Sequence, residues 1–82
     1  MFINKTNDGK NNLCGQRVAS FRVAAGMSQR QLAEALQLEG LDVDKNAIQR
    51  IECGTRFVTD IELVFLAKVF RIPYSALLDG AE

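Results

Sequence analysis

The chain has 82 residues, with ten lysines and arginines balanced by ten aspartates and glutamates, and 48% of the residues are hydrophobic. This length favours a single domain with little room for an enzyme cleft, and the composition is that of a folded globular protein rather than a disordered one. The zero net charge argues against indiscriminate binding of polyanions, and no apolar run approaches the roughly 20 residues of a membrane span.

The N-terminal segment, 1–12, is polar and is predicted to be a flexible leader ahead of a domain over 13–80. It lacks the apolar stretch and the cleavage site of a signal peptide. Cys14 and Cys53 have no CxxC spacing, and the chain has no histidine. The sequence therefore predicts no metal site, no disulfide and no cofactor, and a reducing cytoplasm is the expected location.

Helical periodicity predicts a first helix over 12–25, which Gly26 ends in a left-handed conformation. A second helix is predicted over 29–37, with Ser28 as its N-cap because a serine hydroxyl accepts an unpaired N–H of the first turn. Its predicted buried face consists of Leu32, Ala33 and Leu36.

The connection 38–43 leads to a third helix, predicted over 45–52, which Asp44 caps and Gly54 ends. At about 100° per residue, its polar side chains fall on one face. These side chains are Lys45, Asn46, Gln49, Arg50 and Cys53. The opposite face, with Ala47, Ile48 and Ile51, is predicted to pack in the core.

A fourth helix, capped by Thr59 or Asp60, is predicted to end at about Phe70, and a short fifth helix is predicted over 74–78. The fourth helix has a broader apolar surface than one packed neighbour needs, which predicts a homodimer interface. The predicted interface residues are Ile61, Phe65, Phe70, Ile72, Tyr74 and Leu77.

Charge is distributed unevenly along the chain. Residues 1–30 carry five basic side chains against one aspartate, whereas residues 57–82 carry two basic side chains against four acidic ones. A domain polarised in this way can place its basic part on phosphates and keep its acidic end away from them.

This pattern resembles the Cro/C1-type (XRE-like) helix-turn-helix family over residues 13–78. The matching positions are Gly15, Arg17, Val18, Arg22, Gly26, Ser28, Gln29, Leu32, Ala33, Ile48, Arg50, Ile51, Glu52, Gly54, Leu63, Leu66, Ala67, Leu77 and Leu78. The resemblance implies an all-α, five-helix, lambda-repressor-like domain that binds double-stranded DNA. Twelve residues separate Leu36 from Ile48, against about seven in the family, so either the turn is longer or the second helix extends.

By this resemblance, Lys45, Asn46 and Gln49 are expected to face base edges, since these side chains can bond to adenine and guanine in the major groove. Arg50 is expected to reach a base or a phosphate. The alternative is that the four side chains form the solvated face of an amphipathic helix.

The resemblance also implies phosphate contacts at the start of the second helix, from Ser28 and Gln29. Arg22 and Glu52 match positions that are commonly ion-paired in the family, and this pair would join the first helix to the third. The further candidates for phosphate contact are Arg17, Arg22, Arg30 and Arg56.

The leading prediction is a sequence-specific transcriptional regulator, repressor-like and homodimeric, which inserts helix 45–52 into the major groove. A protein-binding module, or an antitoxin that binds a toxin partner, remains the alternative. No catalytic residue and no small-molecule ligand are predicted, because the chain lacks histidine, a glycine-rich phosphate loop and paired carboxylates in an apolar pocket.

Overall fold

The computed structural model describes residues 5–79, which form five α-helices and no strand. The helices are α1 (Gly15–Ala24), α2 (Gln29–Glu39), α3 (Lys45–Cys53), α4 (Asp60–Phe70) and α5 (Ser75–Leu78). The predicted all-α class is confirmed. Within the described part of the chain, no helix is long and apolar enough to cross a membrane.

Polar side chains start three of these helices. The Ser28 hydroxyl accepts the Gln31 N–H at 3.1 Å, and the Gln31 side chain accepts the Ser28 N–H at 2.8 Å. Asp44 caps α3 through its carboxylate, and Thr59 caps α4 through its hydroxyl. Each cap satisfies an N–H that has no partner within its helix, so α2 and α3 begin where the sequence predicts.

The helix α2 is longer than predicted and takes up part of the long connection to α3. It continues to Glu39, and Gly40 ends it with a φ of +107°. The Gln37 side chain then donates to the Val43 carbonyl at 2.7 Å, which holds the connection against α2. Extension of α2 by two residues thus accounts for part of the extra length, and residues 40–44 form the remaining connection.

The core forms where α3 packs against α1 and α2. The helix α4 packs against α1 and α2, and α5 packs against α1. Its largest side chains are each at most 2% exposed: Val18, Leu32, Leu36, Ile48, Ile51, Leu66 and Leu77. Full burial of side chains of this size stabilises a fold by about 1.5–3 kcal/mol each. The predicted buried faces of α2 and α3 are confirmed.

Leu77 corrects one prediction. It was expected in a dimer interface, but it is 0% exposed and belongs to the core. The short α5 packs against α1, and Leu77 is its one buried residue. It therefore stabilises the monomer and offers no surface to a partner.

The helix α1 begins at Gly15 rather than at residue 12, with Cys14 at its N-cap position and Asn12 outside the helix. The Asn12 Oδ1 atom accepts the Gly15 N–H at 2.9 Å. The described part of the predicted leader, 5–12, lies against the C-terminal end of α3. The boundary between a flexible leader and a domain over 13–80 stays a prediction.

The two thiols differ in exposure and in acidity. Cys14 is 1% exposed, and burial raises the pKa of its thiol to about 11. Cys53 is exposed, and its hydrogen bond with the Thr55 hydroxyl lowers its pKa below the ordinary value. Because the thiolate is the reactive form, Cys53 is the thiol that reagents reach in the folded protein.

We therefore expect iodoacetamide at pH 8 to alkylate one cysteine in the folded chain and both after denaturation, as peptide masses will report. The raised pKa of Cys14 means that the folded state favours its protonated thiol. Its contribution to stability is complete below the ordinary value near 9 and is lost as the pH rises towards 11. Rapid alkylation of Cys14 at pH 8 would contradict its burial.

Candidate nucleic-acid interface

The helix α3 presents a polar face to solvent. Its exposed polar side chains include Lys45, Asn46, Gln49 and Arg50, the four predicted base contacts. The opposite face packs in the core through Ala47, Ile48 and Ile51. The same helix is thus held firmly on one side and available to a partner on the other.

A basic recess in the surface joins the start of α2 to the start of α3. It is lined by Arg22, Ser28, Gln29, Arg30 and Lys45. Three of these five side chains are cationic, and one of the three, Arg22, is paired with the Glu52 carboxylate. The N–H groups and the dipole at a helix N-terminus also favour an anion, so the recess suits a phosphate.

A hydrogen-bonded network connects the recess to α3. The Arg22 Nε atom donates to a Glu52 carboxylate oxygen at 2.6 Å, and its Nη2 atom donates to the other oxygen at 3.2 Å. The Gln29 side chain donates to the same carboxylate at 3.0 Å, and Arg22 Nη1 donates to the Met27 carbonyl at 2.8 Å. This network fixes Gln29 and Arg22 relative to α3, and it contains the ion pair that the resemblance implied.

Two other predicted phosphate contacts have partners within the chain. Arg17 donates to the Ala76 carbonyl at 3.0 Å and so links α1 to α5. Arg56 forms an ion pair with Glu62 at 2.8 Å, and Glu62 also takes part in the cap of α4. The structure does not bring either arginine into the lining of the recess, and their phosphate contacts stay predictions.

Sequence reasoning missed a set of residues beside α3. Lys10, Asn11 and Asn12 were assigned to the leader, yet their side chains bond to backbone carbonyls at the end of α3 and just after it. The one local signal was Asn12 three residues before the start of α1, a residue type favoured at helix caps. No local pattern reveals a partner about 40 residues away.

The predicted dimer surface divides into exposed and packed residues. Ile61 is 62% exposed and Tyr74 is 56% exposed, and Val64, which lies within the broad apolar surface predicted for the fourth helix, is 47% exposed. Phe65, Phe70 and Ile72 are partly buried against the core, and the Phe70 ring lies 5.7 Å from that of Phe21. An apolar area therefore remains exposed on α4 and on the segment that follows it.

Comparison with known proteins found a family model and a solved structure that are similar to this chain. The family model described as helix-turn-helix matches residues 18–77. Among solved structures, the restriction-modification controller protein C.AhdI from Aeromonas hydrophila is similar, with a TM-score of 0.70 and 29% sequence identity. That match covers 80% of this chain and 92% of the controller chain. No curated protein sequence matches the chain.

Proposed function

The chain belongs to the Cro/C1-type (XRE-like) helix-turn-helix family, and from that premise we propose that it is a sequence-specific DNA-binding transcription regulator. We propose further that it acts in the cytoplasm as a homodimer with a repressor-like role. The similarity to a restriction-modification controller supports a regulator of this size and fold.

The polar face of α3 beside the basic recess carries this proposal. In the proposed complex, α3 lies in the major groove, and Asn46 and Gln49 bond to base edges. Lys45 and Arg50 contact guanine acceptors or phosphates. The phosphate backbone lies in the recess, where Arg30 and the N-terminus of α2 meet it.

The proposal of a homodimer is based on the apolar area that the fold leaves exposed. Ile61, Val64 and Tyr74 are large side chains exposed on α4 and shortly after it, a kind of surface that marks association sites. Two copies joined there would present two α3 helices to successive major grooves about 34 Å apart. In the repressor-like role that we propose, the bound dimer would cover DNA that a polymerase needs.

Selection from a random duplex library tests the proposal. We expect a palindromic winner, whose affinity falls steeply as the salt concentration rises because several phosphates are neutralised. The double variant Gln49→Ala, Arg50→Ala should raise the Kd for this duplex at least tenfold, on the scale of about 1–3 kcal/mol for one bidentate base contact.

Ser20→Ala is the control, since Ser20 is exposed on α1 and lies outside α3, the recess and the exposed apolar area of α4. It should leave the Kd nearly unchanged. Equal binding by wild type and the double variant would refute base contact by α3, and a winner without symmetry would refute the homodimer. No enrichment of any duplex would instead favour the protein-binding alternative.

A further inference from the structure

We infer that residues 6–12 form a brace that holds the C-terminal end of α3 and sets its tilt in the DNA complex. This inference rests on the proposed function, because tilt matters only if α3 contacts bases. The segment lies outside residues 18–77, the part that matches the helix-turn-helix model. The brace therefore lies beyond the part of the chain that the family model matches.

Asn12 makes the central contacts of the brace. Its Nδ2 atom donates to the Ile51 carbonyl at 3.1 Å and to the Arg56 carbonyl at 2.8 Å. Its Oδ1 atom accepts the Gly15 N–H at 2.9 Å. One amide side chain thus joins the last turn of α3, the loop that follows it and the start of α1.

Asn11 and Lys10 extend the contact. The Asn11 N–H donates to the Gly54 carbonyl at 2.8 Å, and its side chain donates to the Thr55 carbonyl at 3.0 Å. The Lys10 ammonium approaches the Cys53 carbonyl at 3.5 Å. Cys53 is the last residue of α3 and Gly54 is its C-cap, so these donors satisfy carbonyls at the end of the helix and at Thr55, just after it.

The brace is itself closed by short-range bonds. The Thr6 N–H donates to the Lys10 carbonyl at 2.8 Å, and the Lys10 N–H donates to the Thr6 hydroxyl at 2.9 Å. Gly9 completes the turn with a φ of +81°, a conformation that glycine adopts readily. A closed turn of this kind can hold α3 in one position.

Position matters because α3 is short and its contacts with bases depend on geometry. Its N-terminal part lies beside α2, and Glu52 is held by Arg22 and Gln29. Glu52 lies in the last turn of α3, and the brace adds a second attachment, to the backbone, in the same turn and just after it. Supporting contacts that lock a binding element within about 0.5 Å preserve discrimination between correct and incorrect ligands.

The test is Asn12→Ser, because serine keeps an oxygen near the Gly15 N–H and removes the amide that reaches α3. Two quantities are measured: the preference for the selected duplex over single-mismatch duplexes, and amide exchange at Thr55 and Arg56. Ser20→Ala, an exposed change on α1, is the control. A role in stability alone would not alter the preference in the folded variant.

We expect the preference to fall about threefold to tenfold, the equilibrium factor of about one neutral hydrogen bond, and amide exchange to accelerate by a similar factor. The salt dependence of binding should stay the same, since no phosphate contact is removed. An unchanged preference overturns the inference. If the wild type selects no duplex, that result refutes the proposed function alone. The brace is then tested by amide exchange, and an unchanged exchange rate at Thr55 and Arg56 in Asn12→Ser refutes it.

Discussion

Alanine at position 15 is expected to lower the free energy of unfolding by about 3 kcal/mol or more. A Cβ atom there would lie 2.2 Å from the Ile51 carbonyl oxygen and 3.3 Å from that of Glu52. Both atoms belong to the backbone of α3 and cannot rotate away. The strain must separate α1 from α3, and overpacking of a tight contact usually costs about 1–3 kcal/mol, sometimes more.

The expected loss of stability is opposite in sign to the change that helix propensity alone predicts. Gly15 is the first residue of α1, and helix propensity alone would make alanine more stable than glycine by up to about 1 kcal/mol. Thermal or urea unfolding monitored by circular dichroism measures the change. A total stability of about 4–12 kcal/mol is ordinary for a domain of this length, so the expected loss is a large fraction of it.

Gly26→Ala is the matched control for Gly15→Ala. Gly26 has a φ of +72°, but no heavy atom lies within 4 Å of its added Cβ. The control therefore carries backbone strain without a clash, and it should cost about 1 kcal/mol. If Gly15→Ala unfolds at the same temperature as wild type or higher, then α1 and α3 are not in the close contact described.

The parts of this fold that the sequence predicted well depend on neighbouring residues. Ser28 and Asp44 are short polar side chains directly before amphipathic segments, and Gly54 supplies the left-handed residue that ends α3. The exposed face of α3 follows from helical periodicity alone. Each of these signals acts within one or two turns of helix, so no knowledge of the tertiary fold is needed.

The parts that were missed depend on contacts between distant residues. Leu77 lies on a helix of four residues, which is too short for periodicity to distinguish a core side chain from an interface one. Asn12 bonds to residues about 40 positions away, and only packing of α1 against α3 brings them together.

Glu52→Ala should lower the free energy of unfolding by about 3 kcal/mol and the melting temperature by about 15 °C. Glu52 accepts two bonds from Arg22 and one from Gln29, and the side chains of the ion pair are only 9% and 17% exposed for Glu52 and Arg22. Removing the carboxylate leaves a largely buried guanidinium without its counter-charge. That uncompensated charge, rather than the net strength of the pair, accounts for most of the loss.

Two comparisons distinguish this explanation from a general effect of losing a carboxylate. Glu39→Ala removes the same side chain from an exposed pair with Lys68, in which the side chains are 39% and 63% exposed, and it should cost under about 1 kcal/mol. The double variant Arg22→Met, Glu52→Met removes both charges, and its loss should be smaller than the sum of the two single losses. If Glu52→Ala lowers the free energy of unfolding no more than Glu39→Ala does, then water solvates Arg22 once its partner is removed. The network would then orient Gln29 at the recess without stabilising the contact between α1 and α3.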